Sequence, residues 1–135
     1  MTRSLRLCED VQEARDLHRL AFRGDAWPGD DHVYWIAREG SKVVGICSAV
    51  DEGERVFLSR AAVTVAAQGR GWQRRMIAKR VLWALTETQA AEVFTYCRRD
   101  NLPSLTNLIR AGFRIHVDSP RFYGFTMPLV RRPIP

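Results

Sequence analysis

The chain has 135 residues, of which 46% are hydrophobic and 27% are charged. This length suits one compact domain over residues 1–135, with its core from about residue 3 to 129, and such a domain can bury a core without disulfides or a structural metal. A net charge of +6 favours polyanionic ligands, either nucleic acid or a phosphate-rich cofactor.

The positions of the cysteines and the hydropathy of the chain bear on metal binding, on the cellular compartment and on membrane contact. Cys8, Cys47 and Cys97 form neither a CxxC motif nor a Cys/His spacing typical of metal sites, so no metal is predicted. Cys47 and Cys97 lie in apolar runs, where a free cysteine is usually buried. A reducing cytoplasm is the simplest setting. Because no apolar run approaches the roughly 20 residues that span a bilayer, we expect a soluble protein without membrane contact.

The first half of the chain reads as a helix set among strands. Asp10 is a plausible N-cap for the helix, whose apolar residues recur at helical spacing up to about Arg23. Gly45, inside a strand, indicates a bulge or a close approach by another backbone. The predicted elements are a strand at 4–8, the helix at 10–23, a turn-rich loop at 24–32, and strands at 33–38 and 43–50.

The second half begins with a strand at 55–65 and a glycine-containing turn at 68–73. The helix that follows, at about 72–88, places Ile77 and Ala84 on its apolar face and Arg80 largely off it. A strand at 92–98, a short helix to Ala111 that contains Pro103 in its first turn, strands at 113–117 and 122–129, and a loose tail at 131–135 complete the prediction.

These elements give the order β-α-β-β-β-α-β-α-β-β, a mixed α/β sheet of about seven strands. The fourth and fifth strands are predicted to be parallel neighbours because the connection between them is a crossover helix.

The turn between the fourth strand and its helix is a candidate anion site. Gly69 and Gly71 let a phosphate approach the backbone closely. Free N–H groups and the positive end of the helix dipole would meet there.

Two stretches resemble the GNAT N-acetyltransferase superfamily. The first is the strand and turn from Val63 to Gln73, which matches the family's Gln/Arg-x-x-Gly-x-Gly/Ala motif except that Gln73 replaces the usual Gly or Ala. The second is Asn101-Leu102-Pro103-Ser104 followed by Ala111-Gly112-Phe113, which is similar to the family's Asn-x-x-(Ala/Ser)…Gly-Phe segment. The order and spacing of the elements agree with the family from about residue 3 to 129.

The resemblance implies an acetyl-CoA-dependent N-acetyltransferase whose fourth and fifth strands are splayed to admit the cofactor. Pantetheine would pair with the fourth strand, the diphosphate would bind N–H groups of the turn, and arginines there would add modest attraction. The residues expected at the cofactor are Val63, Val65, Gln68, Gly69, Arg70, Gly71, Trp72, Gln73, Asn101 and Ser104.

The residues that carry proton transfer are less constrained. The family's usual Tyr acid is replaced by Leu108, which leaves Tyr123 as the substitute we assign, with Tyr96 and Ser104 as alternatives. A backbone N–H of the fourth strand would stabilise the oxyanion. On the fourth strand, Ser59 and Arg60 are poor bases. The other candidates for the base are weak, and most of them are expected to be structural or solvated. They are Glu54, Asp25, Asp30, Asp31 and His116.

The leading interpretation is transfer of an acetyl group to a primary amine of a small molecule, a protein or a nucleic acid, by a monomer or homodimer. The loss of the Tyr at Leu108 leaves open a non-catalytic CoA-binding or interaction module. The positive charge leaves open a basic nucleic-acid-binding domain. Against the last, the aromatic residues Tyr34, Trp35, Trp72 and Trp83 lie at core-like positions.

Overall fold

The computed structural model describes residues 2–131. The elements are β1 Arg3–Cys8, α1 Val11–Ala21, β2 Val33–Glu39, β3 Lys42–Asp51, β4 Arg55–Val63, a 3₁₀ turn Val65–Ala67, α2 Trp72–Glu87, β5 Glu92–Arg98, α3 Leu102–Ala111, β6 Arg114–Asp118 and β7 Phe122–Pro128. The predicted order is confirmed, and most ends agree to within two residues. The fourth strand is shorter than predicted because the 3₁₀ turn begins at Val65, with the Ala67 N–H donating to the Thr64 carbonyl at 3.0 Å.

The strands form a seven-stranded sheet in the order β1-β2-β3-β4-β5-β7-β6. β1 pairs antiparallel with β2, β2 with β3, and β7 with both β5 and β6. β4 and β5 are parallel, as predicted, through the pairs Arg55–Glu92, Val56–Val93 and Phe57–Phe94. Those three pairs involve the first three of the nine residues of β4, and the predicted splaying of the two strands stays a prediction.

By internal contacts the chain divides into two compact units. The first consists of the residues up to Val50 together with Ser59–Met76, and the second of Asp51–Leu58 together with the residues from Ile77 onward. The single domain over residues 1–135 stays a prediction. None of the α-helices within residues 2–131 combines the length and the apolar character needed to cross a membrane.

The core of the first unit lies on β2 and β3. α1 packs there through Ala14, which clusters with Tyr34 and Ile46. Asp10 caps α1 as predicted, since its carboxylate accepts from the N–H groups of Gln12 at 3.0 Å and Glu13 at 3.3 Å. A Cβ on Gly45 would lie 2.8 Å from the Ala62 carbonyl oxygen, and the β2–β3 register shifts beside Ala37. Both predicted explanations for Gly45, a bulge and a close backbone approach, are therefore confirmed.

The core of the second unit is built from α2, α3 and the strands beside them. Its buried side chains include Val56, Leu58, Ile77, Ala84, Val93, Phe94, Leu108, Phe113 and Phe125. Arg80 is only 4% exposed, so its predicted place off the apolar face is wrong. The physical reason is helical spacing, because residue 80 follows Ile77 by three positions and precedes Ala84 by four.

Two further predictions about single residues have clear outcomes. Cys47 and Cys97 are buried, as predicted. Arg131 is not loose, because its guanidinium donates to four carbonyls at the end of α2, those of Ala84, Leu85, Thr88 and Ala90. An arginine at a helix C-terminus satisfies carbonyls that lack intrahelical partners. The remainder of the predicted tail, residues 132–135, lies outside the described residues.

Candidate functional site

The turn that leads into α2 depends on two glycines. Gly69 has φ +78° and Gly71 has φ +86°, a region where another residue costs roughly 1–3 kcal/mol. A Cβ on Gly69 would meet no atom within 4 Å, and one on Gly71 would meet only Arg74 Nη2 at 3.5 Å. The backbone conformation therefore requires the glycines, and the space in front of them is open.

The N–H groups of this turn are unused by the protein. Within residues 2–131, no hydrogen bond joins the amide of any residue from 69 to 74 to a protein acceptor. The first bond of α2 runs from the Arg75 N–H to the Gly71 carbonyl at 3.2 Å. The first turn of α2 also carries no acidic residue. Six consecutive donors at the positive end of a 16-residue helix are suited to binding an anion.

Arg70 fixes the turn from outside. Its guanidinium donates to both carboxylate oxygens of Glu39, at 2.8 and 3.2 Å, and Glu39 is only 6% exposed. Arg3 binds the Arg70 carbonyl at 3.2 Å and lies 3.4 Å from the same carboxylate. Arg70 is thus joined to β2 through its side chain and to β1 through its backbone carbonyl. Trp72 is 2% exposed, which leaves its backbone N–H as the part that can face a ligand.

The end of β4 presents the two predicted pantetheine positions. The Thr64 N–H donates to the Val44 carbonyl of β3 at 2.8 Å. Because N–H groups alternate between the two edges of an extended segment, those of Val63 and Val65 point to the opposite edge. The Val63 carbonyl accepts from the Gln68 side-chain amide at 3.2 Å, and the Val65 carbonyl accepts from the Gln68 N–H at 3.3 Å. Gln68 therefore occupies both carbonyls.

The second predicted cofactor stretch opens α3. The Asn101 side chain accepts from the Ser104 N–H at 3.3 Å and caps the helix. Burial raises the pKa of the Cys97 thiol, and a hydrogen bond with the Ser104 side chain partly opposes that rise. Asn101 and Ser104 thus have structural partners within the second unit.

The predicted acid candidates differ in their surroundings. Leu108 is 6% exposed within α3 and has no proton to give. Tyr123 lies on β7 opposite Cys97, is partly exposed, and has the Arg99 guanidinium 4.4 Å from its ring centre. Tyr96 is 51% exposed on β5 and packs edge-on against Phe122.

Two of the three carboxylates in the loop before β2 have cationic partners. Asp25 lies 3.8 Å from Arg60, and Asp30 lies 3.3 Å from Arg15 while accepting from the Trp27 indole at 2.8 Å. This loop is therefore less available to a cationic substrate than its composition suggests. Glu54 and His116 are both exposed.

Sequence reasoning set Ser59 aside as a poor base and missed the cluster in which it lies. His32 Nδ1 lies 3.0 Å from Ser59 Oγ, which lies 2.7 Å from Ser48 Oγ. The three residues come from the loop before β2, from β4 and from β3, so no local sequence motif predicts that they meet. The only signal was a serine inside the apolar run of β3. No group of three or more His, Cys, Asp or Glu side chains in residues 2–131 is arranged to hold a metal.

Comparison with known families decides the class of the protein. The model of the acetyltransferase (GNAT) family matches residues 2–113. The chain belongs to this family. The predicted enzyme class, an N-acetyltransferase, is therefore confirmed, and the stretch that matches includes the Gln68–Gln73 turn, Asn101 and Ser104. A search of curated protein sequences found no match.

Solved structures show the same fold. NAA60 from Arabidopsis thaliana, solved with acetyl-CoA, is 17% identical with a TM-score of 0.77, over 95% of this GNAT chain and 99% of its own. The ribosomal-protein-S18-alanine N-acetyltransferase from Escherichia coli is 12% identical with a TM-score of 0.78, over 98% and 97%. The spermidine/spermine N-acetyltransferase SpeG from Vibrio cholerae is 10% identical with a TM-score of 0.75, over 94% and 92%.

Proposed function

We propose that this GNAT protein transfers an acetyl group from acetyl-CoA to a primary amine, which attacks the thioester directly. The observation that carries the proposal is the row of six unused N–H groups at the start of α2. A diphosphate supplies enough oxygen acceptors for such a row, and its charge suits the helix terminus. NAA60, solved with acetyl-CoA, shares the fold.

In this proposal, the diphosphate binds the N–H groups of residues 69–74, because the N–H of Gln68 already donates to the Val65 carbonyl at 3.3 Å. The pantetheine arm binds along the edge of β4 that carries the N–H groups of Val63 and Val65. The Val63 carbonyl accepts from the side chain of Gln68 at 3.2 Å, and its second lone pair is available to accept from pantetheine. Asn101 and Ser104 stay predicted cofactor contacts.

The reaction needs a neutral amine, a stabilised oxyanion and a proton for the leaving thiolate. An amine of pKa about 10.4 costs roughly 4 kcal/mol to deprotonate near neutral pH, so a base is valuable. A backbone N–H of β4 stabilises the oxyanion. Tyr123 is the proposed acid for the thiolate, and because a thiolate is a tolerable leaving group, we expect Tyr123→Phe to lower kcat by only about tenfold.

Calorimetric titration with acetyl-CoA tests the cofactor half of the proposal. Thiol release with a panel of amines, including a polyamine and peptides with free N-termini, tests the transfer half. Micromolar binding with amine-dependent release of CoA supports both halves. Absence of binding at millimolar acetyl-CoA would remove the proposal.

A second candidate, a CoA-binding module without catalysis, is favoured by one observation: the family's acid position holds the buried Leu108. This candidate predicts tight binding of acetyl-CoA with no amine-dependent thiol release across the panel. The nucleic-acid interpretation has less support, because Tyr34, Trp35 and Trp72 are each at most 4% exposed and offer no stacking surface. Of the four aromatic residues predicted to be core-like, Trp83 is only half-buried.

A further inference from the structure

Three side chains form a short hydrogen-bonded chain inside the first unit. Ser59 lies at its centre, 3.0 Å from His32 Nδ1 and 2.7 Å from Ser48 Oγ. Ser48 is fully buried, while Ser59 and His32 are partly exposed. Seven consecutive residues of β3 are buried, and a hydroxyl in such a run costs free energy unless it is hydrogen-bonded. The pair of serines is therefore a specific polar arrangement in an apolar sheet.

In the proposed binding mode, the hydrogen-bonded side chains of His32, Ser59 and Ser48 lie on the path of the acceptor amine. Ser59 and Ala61 are on β4 on the same side as Val63, because side chains two residues apart share a face. At about 3.3 Å per residue, Ser59 is about 13 Å from Val63 and about 7 Å from Ala61. A pantetheine arm that begins at the turn and passes Val65 and Val63 continues toward Ala61. In the proposed binding mode, the thioester at its end would therefore lie toward Ser59.

We propose that Ser59 and His32 form a proton relay that takes the proton of the attacking amine. The inference rests on the proposed acetyl transfer. The ammonium proton of the bound acceptor passes to Ser59 Oγ as the hydroxyl proton of Ser59 passes to His32 Nδ1, and the neutral amine nitrogen then bonds to the thioester carbon. The nitrogen loses its second proton to solvent, the carbon–sulfur bond breaks, and CoA leaves as a thiolate that takes a proton from Tyr123 or solvent. His32 returns its proton to solvent, from which Tyr123 regains its own. Ser59 is then a catalytic residue, and His32 acts through it.

Among the side chains around Ser59, His32 is the one best suited to accept a proton. Burial raises the pKa of Tyr34 to about 12, so its phenol, with its ring 6.4 Å from that of His32, stays protonated. Asp25 and Arg60 pair with each other, and Asp31 precedes His32 in an exposed turn. On α1, His18 contacts the rings of Phe22 and Trp27. An imidazole is the side chain suited to accept a proton near neutral pH.

The test compares the pH dependence of kcat in wild type, His32→Gln, Ser59→Ala and Ser59→Thr, with acetyl-CoA and the best amine of the panel. We expect His32→Gln and Ser59→Ala to lose about 100-fold near pH 7, the usual size of a general-base contribution. The loss should shrink as pH rises toward about 10, where the amine loses its proton to solvent. Ser59→Thr keeps the hydroxyl and should keep most of the rate. The Kd for acetyl-CoA should not change in any variant, and the unfolding midpoint should not change in His32→Gln and Ser59→Thr, which keep the hydroxyl beside Ser48.

The outcomes separate the relay from the function on which it rests. If wild type releases no CoA with any amine, the proposed function fails and the relay fails with it. If wild type turns over and the variants lose less than threefold, or lose the same factor at every pH, the relay alone is overturned. It is also overturned if His116→Gln, rather than His32→Gln, removes the pH dependence. If Ser59→Ala fails to fold, the pH dependence of kcat in His32→Gln and Ser59→Thr still tests the relay.

Discussion

The N-termini of α1 and α2 solve the same physical problem in opposite ways. Each helix begins with N–H groups that have no intrahelical acceptor. α1 satisfies two of them with its own Asp10 carboxylate. α2 begins after Gly71, which has no side chain, and leaves the amides of residues 69–74 without a protein acceptor.

This difference separates a structural terminus from a binding one. A cap such as Asp10 contributes about 1 kcal/mol, and nearly any helix gains from one. The N-terminus of α2 has no capping side chain at Gly71 and so lacks that stabilisation. Its backbone adopts a conformation that only glycine tolerates well. Arg70 and Glu39 then hold the open turn in place. The lost capping energy is offset when an anion binds, so a ligand should stabilise α2 far more than α1.

The largest expected effect comes from giving α2 the kind of cap that α1 has. In Gly71→Asp, the new carboxylate would accept the free N–H groups and repel a diphosphate. We expect the affinity for acetyl-CoA to fall at least about 100-fold, or roughly 3 kcal/mol, in a calorimetric titration. Gly71→Ala is the matched control, since it carries the same backbone strain of about 1–3 kcal/mol without the charge. Equal affinities of the two variants would show that charge at this turn is irrelevant.

The reciprocal change removes the cap from α1. Asp10→Ala should lower the free energy of unfolding by about 1 kcal/mol, measured in urea, and leave the Kd for acetyl-CoA unchanged. A change in Kd comparable with that of Gly71→Asp would mean that the two termini do not differ in function.

The same contrast explains what the sequence could reveal. The α2 turn was predictable because its proposed function resides in the backbone and its two glycines are only two positions apart in the sequence. The Asp10 cap was predictable for the same reason of locality. The contact between Arg70 and Glu39 spans 31 positions, and Ser59 lies 27 positions from His32. Side chains that meet only after folding leave no spacing to recognise, so the anchor of the turn and the base candidate both required coordinates.

The next expected effect concerns that anchor. Arg70→Met keeps the aliphatic stem but leaves the buried Glu39 carboxylate with Arg3 alone. Because Arg70 is 45% exposed, we expect a loss of about 1–2 kcal/mol in unfolding free energy, together with a several-fold weaker Kd for acetyl-CoA. Arg74→Met is the control, because no salt bridge in residues 2–131 involves Arg74. Its small effect on Kd should vanish at high salt. If the effect of Arg70→Met on the Kd for acetyl-CoA also vanishes at high salt, Arg70 attracts phosphate directly instead of holding the turn.

The smallest expected effect lies on α1, whose buried face carries His18. Burial and, secondarily, the charge of Arg60 lower the pKa of His18 from 6.5. The unfolded chain then binds this proton more readily, so stability should rise with pH up to about 6.5 and be lost as pH falls below it. Urea unfolding at about pH 7.5 and pH 5.5 should show a smaller difference in His18→Gln than in wild type. If the unfolding free energy changes equally between the two pH values in His18→Gln and in wild type, a group other than His18 causes the acid sensitivity. An α1 that loosens in acid while the α2 turn still binds acetyl-CoA would show that the two termini are energetically independent.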